Sequence, residues 1–181
     1  MVESQTSFDA ALLISRLRDG GDFDLLDELA LNGKLEQNLS TEADREICEY
    51  VRHVHENMTK IDSIHEAIRK GDIRGVKNLI DLRKLIAAPG RDGRNAMTLA
   101  ILCGQADIAK YLINTYPKCI NHRDKDGRTS LHYAATLKES TIYQMLVEKT
   151  GDETVADLAG HTPLFYKEHP EKLVIDQNRD N

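Results

Sequence analysis

Histidine and cysteine carry the widest reactivity in this 181-residue chain, which holds seven of the first and three of the second. His53-Val54-His55-Glu56 sets two imidazoles beside a carboxylate, the donor types of a zinc site. Zinc needs ligands converging on one point, and residues two apart on a helix point to different faces. They are therefore read as helix-surface histidines, and no metal is expected. His65-Glu66 opens like the H-E-x-x-H of a metalloprotease but lacks the second histidine. Cys103 or Cys119 could attack as a thiolate only beside a base, and the sequence names none. Neither G-x-x-x-x-G-K-[ST] nor G-x-G-x-x-G occurs, so no phosphate-cradling loop is read and no cofactor is expected. Aromatic residues make up 5% of the chain and are not interleaved with bases, as a single-strand binder requires. The expectation is a protein that is not an enzyme.

Charge narrows the partners. The net charge is −6, and generic affinity for nucleic-acid phosphates is not expected. Residues 1–60 hold 13 acids and 6 bases, whereas residues 61–181 hold 17 acids and 18 bases. Residues 69–94 are a local exception: Arg69, Lys70, Arg74, Lys77, Arg83, Lys84, Arg91 and Arg94 stand against Asp72, Asp81 and Asp92. The cluster reads either as a solvated face or as a patch for an acidic partner.

The elements that would position these residues follow from length and pattern. A chain of this length allows one domain, or one domain with an appended piece. No run of about 18 apolar residues exists, so no membrane span is expected. Met1-Val2-Glu3-Ser4 lacks the basic start of a secretory signal, and no cysteine lies in a C-x-x-C pair. Reduced thiols and a cytoplasmic or nuclear location are expected.

An internal repeat organises the rest. Asp124-Lys-Asp-Gly127-Arg-Thr129-Ser-Leu131-His132-Tyr133-Ala134 returns as Asp157-Leu-Ala-Gly160-His-Thr162-Pro163-Leu164. Gly93 precedes Gly127 by 34 residues, and Gly160 follows it by 33. The anchors Ile64, Met97, Leu131 and Leu164 are spaced 33, 34 and 33. Each unit reads as a Gly-centred turn, a short helix with small residues, a break (Gly71, Gly104, Lys138) and a second helix. Apolar residues recur at helical spacing in the second helices: Val76, Leu79 and Ile80; Ile108, Ala109, Leu112 and Ile113; Ile142, Met145, Leu146 and Val147. One helix pair cannot bury its apolar face alone, but stacked neighbours can.

With these residues the sequence resembles the ankyrin-repeat family, whose period and T-P-L-H-x-A signature it approaches. The match is close in Thr129-Ser130-Leu131-His132-Tyr133-Ala134 and in Thr162-Pro163-Leu164, and looser in Asn95-Ala96-Met97-Thr98-Leu99-Ala100 and in Ile64-His65-Glu66-Ala67. The resemblance implies an all-α solenoid of about four stacked helix-turn-helix units with short β-turn or hairpin tips. Thr129 and His132 would brace their turn by local hydrogen bonds. Asn95 with Thr98 is a polar substitute, and in the last unit Thr162 meets Phe165 instead of histidine. Pro117 is expected to stop a second helix, and the last unit decays after Tyr166 into a C-terminal cap.

Residues 1–59 read as an N-terminal helical cap, 60–176 as the array and 177–181 as a polar tail. Helices are expected near 7–18 and over 22–33, the latter resembling half of a degenerate unit. A third, near 42–58, starts at a capping box Thr41-x-x-Asp44 and carries a stripe of Ile47, Val51, Val54 and Met58. Its expected role is to cover the first face of the stack.

The resemblance implies a scaffold or adaptor that binds an intracellular protein or peptide segment on the concave face of the array, one that is acidic on the patch reading. The register-equivalent positions for that partner are Arg91, Asp92 and Arg94; Lys125, Asp126 and Arg128; Leu99, Leu102 and Tyr133; and His161 and Tyr166. The alternative is a structural spacer or homo-oligomerisation piece that uses the N-terminal helices.

Overall fold

The computed structural model describes residues 42–80, 83–91, 93–137 and 141–173. The helices expected near 7–18 and over 22–33, Thr41, Lys138 and the tail 177–181 lie outside them, as do the side chains of Ile47 and Val51 in the expected stripe. Tertiary contacts divide the chain into Met1–Met58 and Thr59–Asn181. The repeats belong to the second unit.

Helix α1 spans Glu42–Arg69 and so runs past the end expected near 58. No Gly or Pro interrupts this stretch, so nothing in it stops a helix. Ile61, Ile64, Ala67 and Ile68 are buried at helical spacing. The helix ends at Gly71, where Gly71 N–H donates to Ile68 O and Asp72 N–H to Ala67 O. Asp72 then caps α2, Ile73–Leu79, by accepting from Gly75 N–H at 2.9 Å. Val76 and Ile80 face the core, whereas Leu79 is 40% exposed and leaves the apolar stripe expected there. A short helix α3, Arg83–Ala87, buries Leu85 and Ile86. Its five residues are too few to leave a period in the sequence.

Unit two carries α4, Ala96–Leu102, and α5, Ala106–Thr115. Asn95 fills the Thr role expected of it: Thr98 N–H donates to its Oδ1 at 2.9 Å, and its own Nδ2 donates to Cys119 O at 2.9 Å. Gly104, at φ +67°, joins the two helices in the left-handed conformation that glycine adopts without steric cost. Ile108, Ala109, Leu112 and Ile113 are all buried. The helix stops two residues before Pro117, which opens a short 3-10 turn over Pro117–Cys119.

Unit three pairs α6, Ser130–Ala134, with α7, Thr141–Lys149. Ile142, Tyr143 and Leu146 are buried, while Met145 and Val147 are half-buried. Ile142 and Leu146 thus face inward as the apolar pattern predicts, and Tyr143 joins them in place of Met145 and Val147, hiding its ring and donating its hydroxyl to Glu153 at 2.6 Å. In unit four α8 covers Pro163–Glu168, followed by a 3-10 turn over Pro170–Lys172.

Packing forms two rows. Helix α4 packs on α6 and α6 on α8 in the first row, and α2 packs on α5 and α5 on α7 in the second. Among the described residues there is no strand, so the second unit is the all-α helical stack that the repeat predicts. Met97 and Leu131 are fully buried between neighbours, whereas Leu164, the same position in the last unit, is 47% exposed.

Candidate functional site

Each unit meets its neighbour at a tip, and the tips share one design. Asp124 N–H donates to Arg128 O, Asp157 N–H to His161 O and Gly90 N–H to Arg94 O. The Asp124 carboxylate accepts from the backbone N–H groups of Asp126 and Arg128, and Asp157 accepts likewise from Ala159 and His161, each at 2.9 Å. Short acidic side chains form such turns because they reach backbone donors two residues on. Gly127 closes its tip at φ +76°. A Cβ there would lie 3.1 Å from Leu158 N, so the next tip could not approach as it does.

The tips are also joined to one another. Lys125 Nζ donates to Arg91 O at 2.7 Å, and Leu158 N–H donates to Asp126 O at 3.0 Å. Behind the tips runs a repeated clasp. The hydroxyls of Tyr133 and Tyr166 donate to the carboxylates of Asp124 and Asp157, nine residues before each, the second at 2.6 Å. The guanidinium of Arg94 sits 5.8 Å from the Tyr133 ring, and that of Arg128 sits 5.7 Å from the Tyr166 ring while donating to Asp157 at 3.4 Å. Each arginine therefore grips the clasp of the following unit.

Burial of Tyr133, reinforced by Asp124, pushes its phenol up to about 12. Burial opposes ionisation of Asp157, yet hydrogen bonds from Tyr166, the His161 and Ala159 amides and Arg128 hold its carboxyl below the usual range. The Tyr166–Asp157 clasp is thus a phenol-to-carboxylate bond at neutral pH.

These contacts bury part of the surface expected to meet a partner. Arg94, Leu99, Tyr133 and Tyr166 were expected to be presented; all four are 5% exposed or less. The first helices are covered by their neighbours in the row, which leaves tip apexes and helix ends as the accessible positions. Arg91 and Lys125 are exposed, and Leu102, Asp126, Arg128 and His161 are half-buried. Asp92 lies outside the described residues. Arg91 shares its Nε and Nη2 with Asp62 at 3.4 Å, and Arg128 lies 3.6 Å from Asp126. His161 stacks on Phe165 with centroids 4.0 Å apart.

Asp62, Asp124 and Asp157 were missed as positions that organise this surface. Asp124 and Asp157 could have been found, because they repeat at 33 residues in register with Tyr133 and Tyr166. Asp62 carries no such signal.

Elsewhere, a groove of about 300 Å³ lies between the α4–α5 turn and the start of α7, lined by Ile101, Gly104, Ala109 and Leu137 among others. Burial pushes the Cys119 thiol up, making a thiolate harder to form, and Cys103 is exposed at the end of α4. Among the described residues no three His, Cys, Asp or Glu side chains come together as a metal-ligand set, and no helix is long and apolar enough to cross a membrane.

Comparison with known proteins agrees with this geometry. Residues 64–157 match the family model described as ankyrin repeats in three copies. The chain is 29% identical to Protein glp-1 of Caenorhabditis elegans over 133 residues, which is 65% of this chain and 10% of that protein. It is 29% identical to Regulatory protein NPR1 of Arabidopsis thaliana over 137 residues, 72% of this chain and 22% of that protein. Over 106 residues it is 29% identical to human Ankyrin repeat domain-containing protein 63, covering 56% of this chain and 28% of that protein. The chain spans less than a third of the length of each of these relatives. A helical array with repeating glycine tips and a matching family model over half its length places this chain in the ankyrin-repeat family.

Proposed function

We propose that the chain is a non-enzymatic scaffold or adaptor module that binds a segment of a partner protein along its tips and the exposed ends of its first helices. Ankyrin repeats are protein-interaction modules, and that membership supports the general reading. The observation that carries the finer one is the tip row. Arg91, Lys125 and Leu158 stand exposed at equivalent apexes, and the hydrogen bonds from Lys125 to Arg91 O and from Leu158 N–H to Asp126 O tie those apexes together. A surface ordered before its partner arrives loses little conformational freedom on binding. Leu102 and Cys103 continue the accessible strip at the end of α4.

The partner is a protein inside the cell, in the cytoplasm or nucleus. The free thiols of Cys103 and Cys119 suit such a reducing compartment. An acidic partner is not favoured on this strip, where Arg91 and Arg128 already face Asp62, Asp126 and Asp157. The test is affinity capture from cytosolic and nuclear extracts with the intact chain beside an Arg91→Glu/Leu102→Ser/Lys125→Glu variant whose far-UV circular dichroism matches it. A partner lost from the variant supports the reading. A partner kept by the variant moves binding to another face, and turnover of a substrate with no protein partner would end it.

A further inference from the structure

We infer that the outward face of α2 and α5, centred on Lys77 and Lys110, is a second docking surface, and that it takes an acidic segment of a partner protein. The basic cluster of residues 69–94 is not one surface. Lys70 pairs with Glu66 at 3.1 Å, Arg91 with Asp62 at 3.4 Å, and Arg94 is buried against Tyr133. Arg74 and Lys77 are exposed on α2, and among the described residues no carboxylate pairs with either.

Packing then adds residues that lie outside the cluster in the sequence. Helix α2 lies on α5, and Lys77 Nζ sits 4.9 Å from the centroid of the Tyr111 ring. Tyr111 meets Tyr116 edge-on at 6.4 Å, and both are half-buried. An aromatic ring seats the ammonium without neutralising it. Lys110, beside Tyr111, is also exposed and without a carboxylate partner among the described residues. Helix α2 contains no acid and α5 contains only Asp107, one turn before Lys110. The two helices thus carry three cations against one carboxylate, in a chain whose net charge is −6.

Charge complementarity selects an anionic segment, and the half-buried Tyr111 and Tyr116 add apolar contact along it. The negative charge of the whole chain disfavours the dense phosphate field of a nucleic acid, whereas a flexible acidic peptide can lie on the local patch alone. This surface belongs to the second helix row and the strip proposed above to the tips and first helices, so either reading can fail without the other.

The experiment is fluorescence anisotropy of a labelled ten-glutamate peptide with the full chain at about 50 mM salt, where surface charge is weakly screened. Two double variants change the net charge equally: Lys77→Glu/Lys110→Glu on the outer helices and Arg91→Glu/Lys125→Glu at the tips. The outer double should weaken binding about tenfold and the tip double less than about twofold, in line with the salt-sensitive worth of exposed charge pairs. If the outer glutamates unfold the chain, Lys77→Gln/Lys110→Gln removes the charge without reversing it and should still weaken binding severalfold. Equal loss in both doubles, full affinity in the outer variants, no binding by the parent chain, or tighter binding of a duplex DNA of matched charge would each overturn the proposal.

Discussion

His132→Phe tests whether the stack depends on one imidazole for two bonds at once. His132 is fully buried. Its Nδ1 accepts from Thr129 N–H at 2.9 Å and lies 3.0 Å from Thr129 Oγ1, which leaves Nε2 to donate to His161 O, 3.2 Å away in the next unit. Phenylalanine keeps the ring volume and is what the chain itself carries 33 residues later, at Phe165. The substitution strands the Thr129 N–H in a site with no exposure, a cost of about 1–3 kcal/mol, and loses the bond to His161, about 1 kcal/mol more. A total near 2–4 kcal/mol corresponds to a fall in Tm of about 5–15 °C for a chain this size. The pH dependence is equally specific. Burial holds the His132 pKa below its ordinary 6.5, so the unfolded chain binds that proton first. Stability from this group is therefore complete above about pH 6.5 and is lost as pH falls toward the depressed folded value. Urea midpoints followed by far-UV circular dichroism at about pH 7.5 and about pH 5.5 read both effects. The parent should lose stability at the lower pH, and the gap should narrow in the variant. A loss below about 1 kcal/mol at the higher pH, or an unchanged gap, would refute the two-bond reasoning.

Two further pairs of substitutions compare a crowded position with an open one. Leu131→Ala should cost about 2–5 kcal/mol in urea unfolding, and Leu164→Ala less than about 1 kcal/mol, because the first side chain is fully buried and the second is 47% exposed. Gly127→Ala and Gly104→Ala both force alanine into a left-handed conformation at about 1–3 kcal/mol. Gly127→Ala should melt lower in a thermal scan, since its Cβ meets Leu158 N at 3.1 Å while nothing lies within 4 Å of that on Gly104.

The anchors at 33- and 34-residue spacing exposed the stack to a sequence reading, because an apolar residue sandwiched between neighbours must recur once per unit. Caps were legible for the same reason: Asn95 and Thr129 precede their helices at equivalent positions and use side chains suited to the task. What escaped were features set by packing between units. Tyr133 and Tyr166 look presentable on a helix considered alone, yet the neighbouring unit covers them and Asp124 and Asp157 satisfy their hydroxyls. The full length of α1 also escaped, although no residue near 58 can break a helix. The basic cluster looked like one patch because ion pairs such as Arg91 with Asp62, 29 residues apart, have no local signature.

The bonds between units have a mechanical meaning. Arg91 to Asp62, Lys125 to Arg91, Thr98 to Ser130, His132 to His161 and Arg128 to Asp157 each reach 29 to 34 residues along the chain, about one repeat. A pull applied along the stack is therefore resisted by a few short-range links at a time. Such an array gives way unit by unit, because each unit contacts only its neighbours. After each step the neighbouring unit remains as a template on which the lost one can re-form.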